Sequence, residues 1–503
     1  MINAAKMPAD CVDLLIIGGG INGAGIACDA AGRGLSVVLC EQGDLGGATS
    51  SASSKLIHGG LRYLENYAFR LVREALCERE VLLHKAAHII RPLPFVLVHD
   101  ARMRPAWMIR LGLFLYDRLG RRGILARSRG VDLTTAPEGA SLVESAKRGF
   151  IYADARVDDA RLVVLNALAA AELGAQILTR TECTSARRDH GVWRAELRDR
   201  RSGTSREITA RALVNAAGPW VAGVLDRAGV APAWRQRLVK GSHIVVPRLY
   251  EGDHAYVLQQ PDRRIVFAIP FEGDYTLIGT TDIPFSGNPA EVSISREETR
   301  YLCSALNRYF RATLTEDDVV WSYAGVRPLL DDSETDPASI SREYMLDVDC
   351  PEGAAPLLSV VGGKITTYRV IAESALDRLR PWFPGMGPMW TATATLPGGD
   401  LPAGGAAALA EELIAAHPWL PPPLARRYAS SYGTRARELL SGAGGPTDLG
   451  ADFGSGMHER ELAYLMNTEW AQTVDDVLWR RTKLGLRFSD DERRNLSRRM
   501  GQN

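Results

Sequence analysis

The chain has 503 residues, 46% of them hydrophobic and 24% charged, which excludes a disordered or fibrous protein. Lysine plus arginine and aspartate plus glutamate both number 60, so no global field draws the whole molecule to nucleic acid. No apolar run approaches the ~20 residues of a membrane span, and the length allows about two to four domains.

The first element is DLLIIGGGINGAGIACDAAGRGLSVVLCE, residues 13–41. It reads as strand, glycine turn, helix and second strand, ending on an acid: the dinucleotide-binding β-α-β pattern. Gly18 permits the tight turn. Gly20 leaves bare backbone for a pyrophosphate at the helix N-terminus, where the dipole favours negative charge. Gly23 lets helix and strand approach, and Glu41 can accept hydrogen bonds from ribose hydroxyls. This stretch alone leaves NAD and FAD equally open. Because Asp13 already opens the strand, no signal peptide is expected.

Residues 48–65, ATSSASSKLIHGGLRYLE, form a polar, glycine-bearing segment, and 66–90 an amphipathic helix. Residues 91–150 give no clear pattern. Within them, 102–122 combines apolar residues with Arg102, Arg104, Arg110, Arg118, Arg121 and Arg122 against one acid, Asp117. Helical spacing puts Arg110, Asp117 and Arg121 on one face and Met108, Leu115 and Leu119 opposite. This fits an interfacial helix among anionic head groups or, equally, a helix packed on the protein body.

Residues 151–183 read as helix then strand, 192–211 as a β-hairpin, and 212–220 as a strand entering a glycine turn. Alternating strands dominate 238–283, a helix follows at 296–311, and 357–379 is strand, glycine turn and long helix. The composition of 396–408 is that of a linker. Helical patterns fill the remainder, and the basic tail from 479 reads as a solvated face.

The seven cysteines (Cys11, Cys28, Cys40, Cys77, Cys183, Cys303, Cys350) include no C-x-x-C pair and read as reduced thiols of a cytosolic protein. His84 and His88 could share a helix face but lack a third ligand nearby, so no metal is expected. One device occurs three times, at 14–23, 213–220 and 357–366: an apolar strand delivers a glycine turn to a helix start. Three such turns suit a long cofactor, and no second fingerprint for NAD is present.

GGGINGAGIACDAAGRGLSVVLCE, SSASSKLIHGGLRYLE, NAAGPW, KGSHIVVP, IGTTD, GVRPL and GGKITTYR occur in the order found in one family. Together they resemble the FAD-dependent glycerol-3-phosphate dehydrogenases. These are the membrane-associated, respiratory members of the D-amino-acid-oxidase-like flavoproteins. DDVLWRRTKLGL, 475–486, resembles the family's C-terminal helical domain.

The resemblance implies a mixed α/β fold: a Rossmann-like FAD-binding domain interleaved with an antiparallel-sheet substrate domain, plus a C-terminal all-α domain. The expected units are 10–90, 151–235 and 320–395 for FAD, 91–150 and 236–319 for substrate and membrane, and 396–503 for the helical domain. It implies FAD contacts from Gly18, Gly20, Ile21, Asn22, Gly23, Glu41, Thr49, Ser50, Ser53, Leu56, Gly218, Gly363, Lys364, Ile365 and Thr366. The helix starting near Lys364 would face the flavin pyrimidine edge and stabilise negative charge there.

Arg62, Tyr63, Arg327 and Lys364 become substrate-site residues, the arginines having the planar fork that suits phosphate. His243, by itself a strand histidine of structural type, becomes the candidate base, with Arg327 and Lys364 completing the catalytic set. A second role for Arg327, instead or in addition, is stabilising a developing alkoxide. The implied reaction is oxidation of sn-glycerol 3-phosphate to dihydroxyacetone phosphate, with electrons passed to a membrane quinone. The implied setting is the cytoplasmic face of an anionic membrane surface, with noncovalent FAD, no nucleic acid and room for a homodimer. The alternatives are an oxidase that passes electrons to oxygen and a non-catalytic, RNA-associated flavoprotein.

Overall fold

In the computed structural model, which describes residues 11–100, 104–120, 123–331 and 344–501, the runs flanking the first glycine turn pair as parallel strands, Val12–Ile17 and Val37–Cys40. They belong to the first of two sheets formed by the described residues, one of eight strands and one of ten. The spine of the first runs Met345–Asp349, Leu357–Val361, Ser205–Asn215, Val12–Ile17, Val37–Cys40 and Gln176–Leu178. All its neighbours pair in parallel except the edge strand Met345–Asp349.

Side chains alternate across a strand, and a parallel sheet must bury both faces. Leu14 and Ile16 accordingly pack under the helices Ile21–Gly32, Asp159–Glu172 and Tyr368–Leu379. Leu15 and Ile17 face the other way, onto Trp193 and Leu225. Each such fully buried Leu or Ile contributes about 1.5–3 kcal/mol. The hairpin expected at 192–211 is part of a meander, Thr181–Asp189, Val192–Asp199 and Ser205–Asn215. Its last strand continues into parallel pairing with Val12–Ile17, so hairpin and strand are one element.

In the second sheet Gln236–Pro247 pairs antiparallel with both Tyr275–Gly279 and Trp321–Leu330. One parallel contact, Ala255–Gln259 with Ile90–His99, interrupts the antiparallel pattern. Residues 91–150 hold most of Ile90–His99, the helix Ala106–Leu119 and the strand Arg129–Asp132. The strands Arg148–Val157 and Trp321–Leu330 lie in this second sheet, although the expected boundaries at 151 and 320 would put most of them with the first.

Helix Ala106–Leu119 packs Leu113 and Tyr116 inward, and Arg110 and Asp117 both bond Ser128. The outer face is mixed rather than divided as expected, with Arg110 and Arg118 exposed beside apolar side chains. Trp107 is 65% exposed, Leu111 50% and Phe114 44%, with Leu115 also exposed. Arg102, Arg121 and Arg122 lie outside the described residues. His84 sits in the last turn of Phe69–Lys85 and His88 beyond it, so the two do not share a helix face.

The C-terminal helices Gly405–Ala416, Pro422–Tyr432, Glu459–Thr468 and Asp490–Arg499 enclose their own core around Leu409, Tyr428, Tyr432, Leu465 and Leu478. The segment read as a linker is packed at its start. Leu396 is buried, its N–H donates to the Lys85 carbonyl at 2.8 Å, and a Cβ at Gly398 would overlap the Tyr432 carbonyl. The basic tail is likewise not a solvated face where it begins. Arg481 is fully buried and donates to both oxygens of Asp44 at 2.8 Å, while Arg480 reaches the same carboxylate at 2.5 Å. Arg161 pairs with Glu469, Arg180 with Asp476 and Lys483 with Asp158. Trp479 stacks on Trp321 of the second sheet at 4.3 Å and 11°. This seam grips both sheet units.

Candidate active site

Three glycine turns leave the carboxyl ends of three adjacent parallel strands, so the chain order brings them together on one edge. At the first, Gly18 has φ +112°, and a Cβ there would stand 2.6 Å from the Ala216 carbonyl of the second turn. A Cβ at Gly23 would overlap the Gly18 carbonyl. The Asn22 amide donates to the Gly362 carbonyl of the third turn at 3.4 Å. Gly218 and Gly363 also have positive φ, +56° and +94°. In open α/β sheets this crevice, where the connections diverge, is where ligands bind.

The crevice fits an extended anionic dinucleotide. Helix Ile21–Gly32 starts from Gly20 with no acid in its first turn, and its Ile21 N–H is accepted by Ser50 Oγ at 3.0 Å. Asn22 Oδ1 is buried and has no hydrogen-bond partner among the described residues. Glu41 accepts the Gly19 and Gly43 N–H groups, each at 2.7 Å. Burial pushes its carboxyl above the ordinary value, against the pull of those two N–H groups. At the third turn Ile365–Thr367 is a 3-10 turn, and the regular helix begins at Tyr368, later than expected from the pattern.

The hydroxyl-rich segment after residue 48 spans from this crevice to the second sheet. Ser50 touches the first turn, and Thr49 donates to the Val326 carbonyl at 2.6 Å. Ser53 Oγ donates to Asp159 at 2.7 Å, Leu56 is buried, and the His58 N–H reaches Thr366 Oγ1 at 3.3 Å. A Cβ at Gly325 would stand 2.7 Å from the Ala52 methyl, so bare backbone brings strand and segment together.

On the second sheet, strand register sets the constellation. His243 lies opposite Tyr323, Gly241 opposite Gly325 and Val239 opposite Arg327, so period two puts His243, Tyr323 and Arg327 on one face. The His243 ring is fully buried, stacks on Tyr323 at 4.8 Å and 16°, and meets Ser54 Oγ through Nε2 at 2.9 Å. Burial, then Arg327 and Lys55, push it well below the ordinary imidazole value. Arg327 pairs with Asp282 and donates to Thr280 Oγ1 at 3.1 Å.

Lys364 Nζ stands 3.7 Å from the Tyr63 ring centroid, which ties the third turn to the 3-10 segment Leu61–Asn66 that also carries half-buried Arg62. Ser54, Lys55, Asp159, Tyr323 and Asp282 escaped the sequence reading. Tyr323 had a usable signal, since it stands four residues before Arg327 and so on the same strand face.

The crevice, its acid and its bare helix end define a dinucleotide-binding enzyme of the α/β class. The chain belongs to the FAD-dependent oxidoreductase family, whose model matches residues 13–369, and residues 389–498 match the C-terminal domain of alpha-glycerophosphate oxidase. It is 56% identical over 485 residues to the glycerol-3-phosphate dehydrogenase of Pseudomonas aeruginosa, covering 96% of this chain and 94% of that one. To the D-erythritol 1-phosphate dehydrogenase of Brucella abortus it is 51% identical, covering 97% of each. Among solved structures, the glycerol-3-phosphate dehydrogenase of Bacillus halodurans complexed with FAD superimposes with a TM-score of 0.77 at 28% identity, over 99% of this chain and 92% of that one.

Proposed function

We propose that the protein oxidises sn-glycerol 3-phosphate to dihydroxyacetone phosphate and passes the electrons to a membrane quinone. The observation that carries this reading is a fully buried imidazole on the same strand face as Arg327, against the segment that leads to the cofactor crevice. FAD held in that crevice supplies the hydride acceptor. The same-sign groups Arg62, Arg327 and Lys364 suit a phosphate dianion, with Asp282 and Thr280 orienting the Arg327 fork. His243, uncharged at neutral pH, takes the hydroxyl proton. For the cofactor, Gly18, Gly20, Ile21, Asn22 and Gly23 receive the pyrophosphate and Glu41 the ribose. Thr49, Ser50, Ser53, Leu56, Gly218, Gly363, Ile365 and Thr366 line its path.

The quinone and the membrane belong to the same proposal. The outward face of Ala106–Leu119 carries Trp107, Leu111 and Phe114, Arg118 covers Phe114, and Tyr67 and Ile124 are exposed as well. A cleft of about 640 Å³ lined by Trp107, Lys147, Arg148 and Phe150 opens beside it. Such a mixture of rings and cations suits an anionic interface. Among the described residues no helix is long and apolar enough to cross a membrane.

The test is anaerobic addition of sn-glycerol 3-phosphate to the flavin-loaded protein. Rapid bleaching, followed by fast reoxidation with a soluble quinone and slow reoxidation with oxygen, is expected. Fast stoichiometric peroxide would replace the dehydrogenase by an oxidase. The Brucella abortus relative favours a second reading, a four-carbon polyol phosphate as substrate. Faster bleaching by D-erythritol 1-phosphate than by glycerol 3-phosphate would establish it.

A further inference from the structure

We infer that Tyr116 is a positioning residue: from the inner side of helix Ala106–Leu119 it holds the backbone that presents Arg62 and Tyr63. The inference rests on the reading of those two residues as substrate-binding. Tyr116 is buried, and its hydroxyl is engaged as both acceptor and donor. The Gly59 N–H donates to Tyr116 Oη at 2.8 Å, and this direction is fixed, because a backbone N–H only donates. The phenol in turn donates to Asp154, whose two oxygens stand at 2.9 and 2.8 Å. Asp154 itself is 3.5 Å from the Gly59 nitrogen, too far to replace the phenol as acceptor.

The anchor behind Tyr116 is rigid. Asp154 lies on the strand Arg148–Val157, and Arg79 of helix Phe69–Lys85 donates to it at 2.7 Å and to the Ala153 carbonyl at 3.0 Å. The Tyr116 ring sits in the cluster that holds Leu76 and Leu113 and meets Tyr152 edge-on at 5.8 Å and 84°. Bare backbone is required where the phenol arrives. A Cβ at Gly59 would stand 2.7 Å from Tyr116 Oη and 2.5 Å from Leu76.

A short lever runs from this bond to the site. Gly60 turns the chain at φ +73°, and the Tyr63 N–H closes back onto the Gly60 carbonyl at 2.9 Å, opening the 3-10 segment Leu61–Asn66. Arg62 and Tyr63 therefore follow the held amide almost at once. On the other side of Gly59 the His58 N–H reaches Thr366 Oγ1 at 3.3 Å, and the Tyr63 ring centroid lies 3.7 Å from Lys364 Nζ. The segment is thus fastened to the third glycine turn and to Tyr116. Without Tyr116 Oη, the ordering of Arg62 and Tyr63 has to be completed when substrate binds, so the loss falls on affinity more than on the limiting rate.

The experiment measures anaerobic flavin reduction and hydrogen exchange of residues 58–66 in Tyr116→Phe, Gly59→Ala, Arg62→Ala and Tyr152→Phe. Tyr116→Phe removes one oxygen and keeps the ring, and exchange of the segment should quicken at least about fivefold. Half-saturation for sn-glycerol 3-phosphate should rise about 5- to 30-fold, with the limiting rate changed less than about threefold. Gly59→Ala displaces the phenol from the other side of the bond and should give the same pair of changes. Tyr152→Phe, which removes a neighbouring hydroxyl that does not hold Gly59, should match the native protein in both. Native exchange in Tyr116→Phe or Gly59→Ala, or an equal change in Tyr152→Phe, overturns the inference. So does native half-saturation in Tyr116→Phe beside weakened half-saturation in Arg62→Ala. Native half-saturation in Arg62→Ala removes instead the substrate reading of the segment, and the inference with it.

Discussion

Arg481→Met tests whether the C-terminal seam holds the cofactor crevice together. The native guanidinium makes two bonds to Asp44 at 2.8 Å and donates to the Glu469 carbonyl at 2.7 and 3.2 Å, all out of solvent. Breaking one side of a buried ion pair costs about 3–5 kcal/mol, chiefly because the remaining charge is left without its partner. Arg480 stays on Asp44 at 2.5 Å, which argues for the lower end, about 3 kcal/mol. At about 2 °C per kcal/mol for a large domain, Tm should fall by about 6 °C. Asp44 lies three residues beyond Glu41 on one loop, so flavin should also leave sooner, read as fluorescence released during a temperature ramp. An unchanged Tm would refute the energetic argument. A lowered Tm with native flavin retention would refute the coupling between the seam and Glu41.

Arg327→Ala should lose at least about 100-fold in turnover, the scale for removing a donor aimed at developing negative charge, while the protein stays yellow; activity near native would remove Arg327 from the site. Acid should open the seam. In Asp476 burial alone would raise the carboxyl, but Arg480, the Gln472 N–H and Arg180 hold it well below the ordinary range; in Asp158 burial is likewise outweighed, and Lys483 and Lys55 lower the carboxyl. A depressed folded pKa gives stability that is complete above the unfolded value, about 4, and is lost as pH falls through the folded one. Denaturant midpoints measured between pH 5 and pH 3 should therefore drop, and less so in Asp476→Asn; a flat profile contradicts this. Replacing Trp107, Leu111 and Phe114 together by serine should weaken binding to anionic vesicles at least about tenfold and leave Tm nearly unchanged, because all three are exposed. Equal binding would move the membrane contact elsewhere.

The cofactor edge was legible because glycine is informative where a Cβ has no room. Gly18 and Gly23 sit against backbone, so their spacing records a tertiary contact in one dimension. The proposed substrate face was half legible. Arg327 and His243 stand in recognisable motifs, but Ser54 and Asp159 act through hydrogen bonds across 189 and 106 positions of sequence separation, which no local pattern reports. The seam was illegible for another reason. A helix rich in arginine reads as solvated whether its partners are water or buried carboxylates, and Asp44, Asp158 and Glu469 are scattered along the chain. The helix Ala106–Leu119 does not keep its expected division of faces, because Leu113 and Tyr116 turn inward while Ser128 bonds both Arg110 and Asp117.

Position along the chain also sets an order in time. All three glycine turns, Glu41 and the strand bearing Arg327 have left the ribosome before Arg480 and Arg481 are made. At ordinary rates of synthesis the interval is on the order of ten seconds. During it all three turns are out, and the Asp44 loop still lacks its Arg480 and Arg481 partners. Ribosome-stalled chains ending before 470 should take up flavin and lose it on washing, whereas full-length chains should keep it; retention by the stalled chains would contradict this. On this expectation loading precedes sealing, and residues near 480, made later, fasten the loop beside the residues that recognise the cofactor.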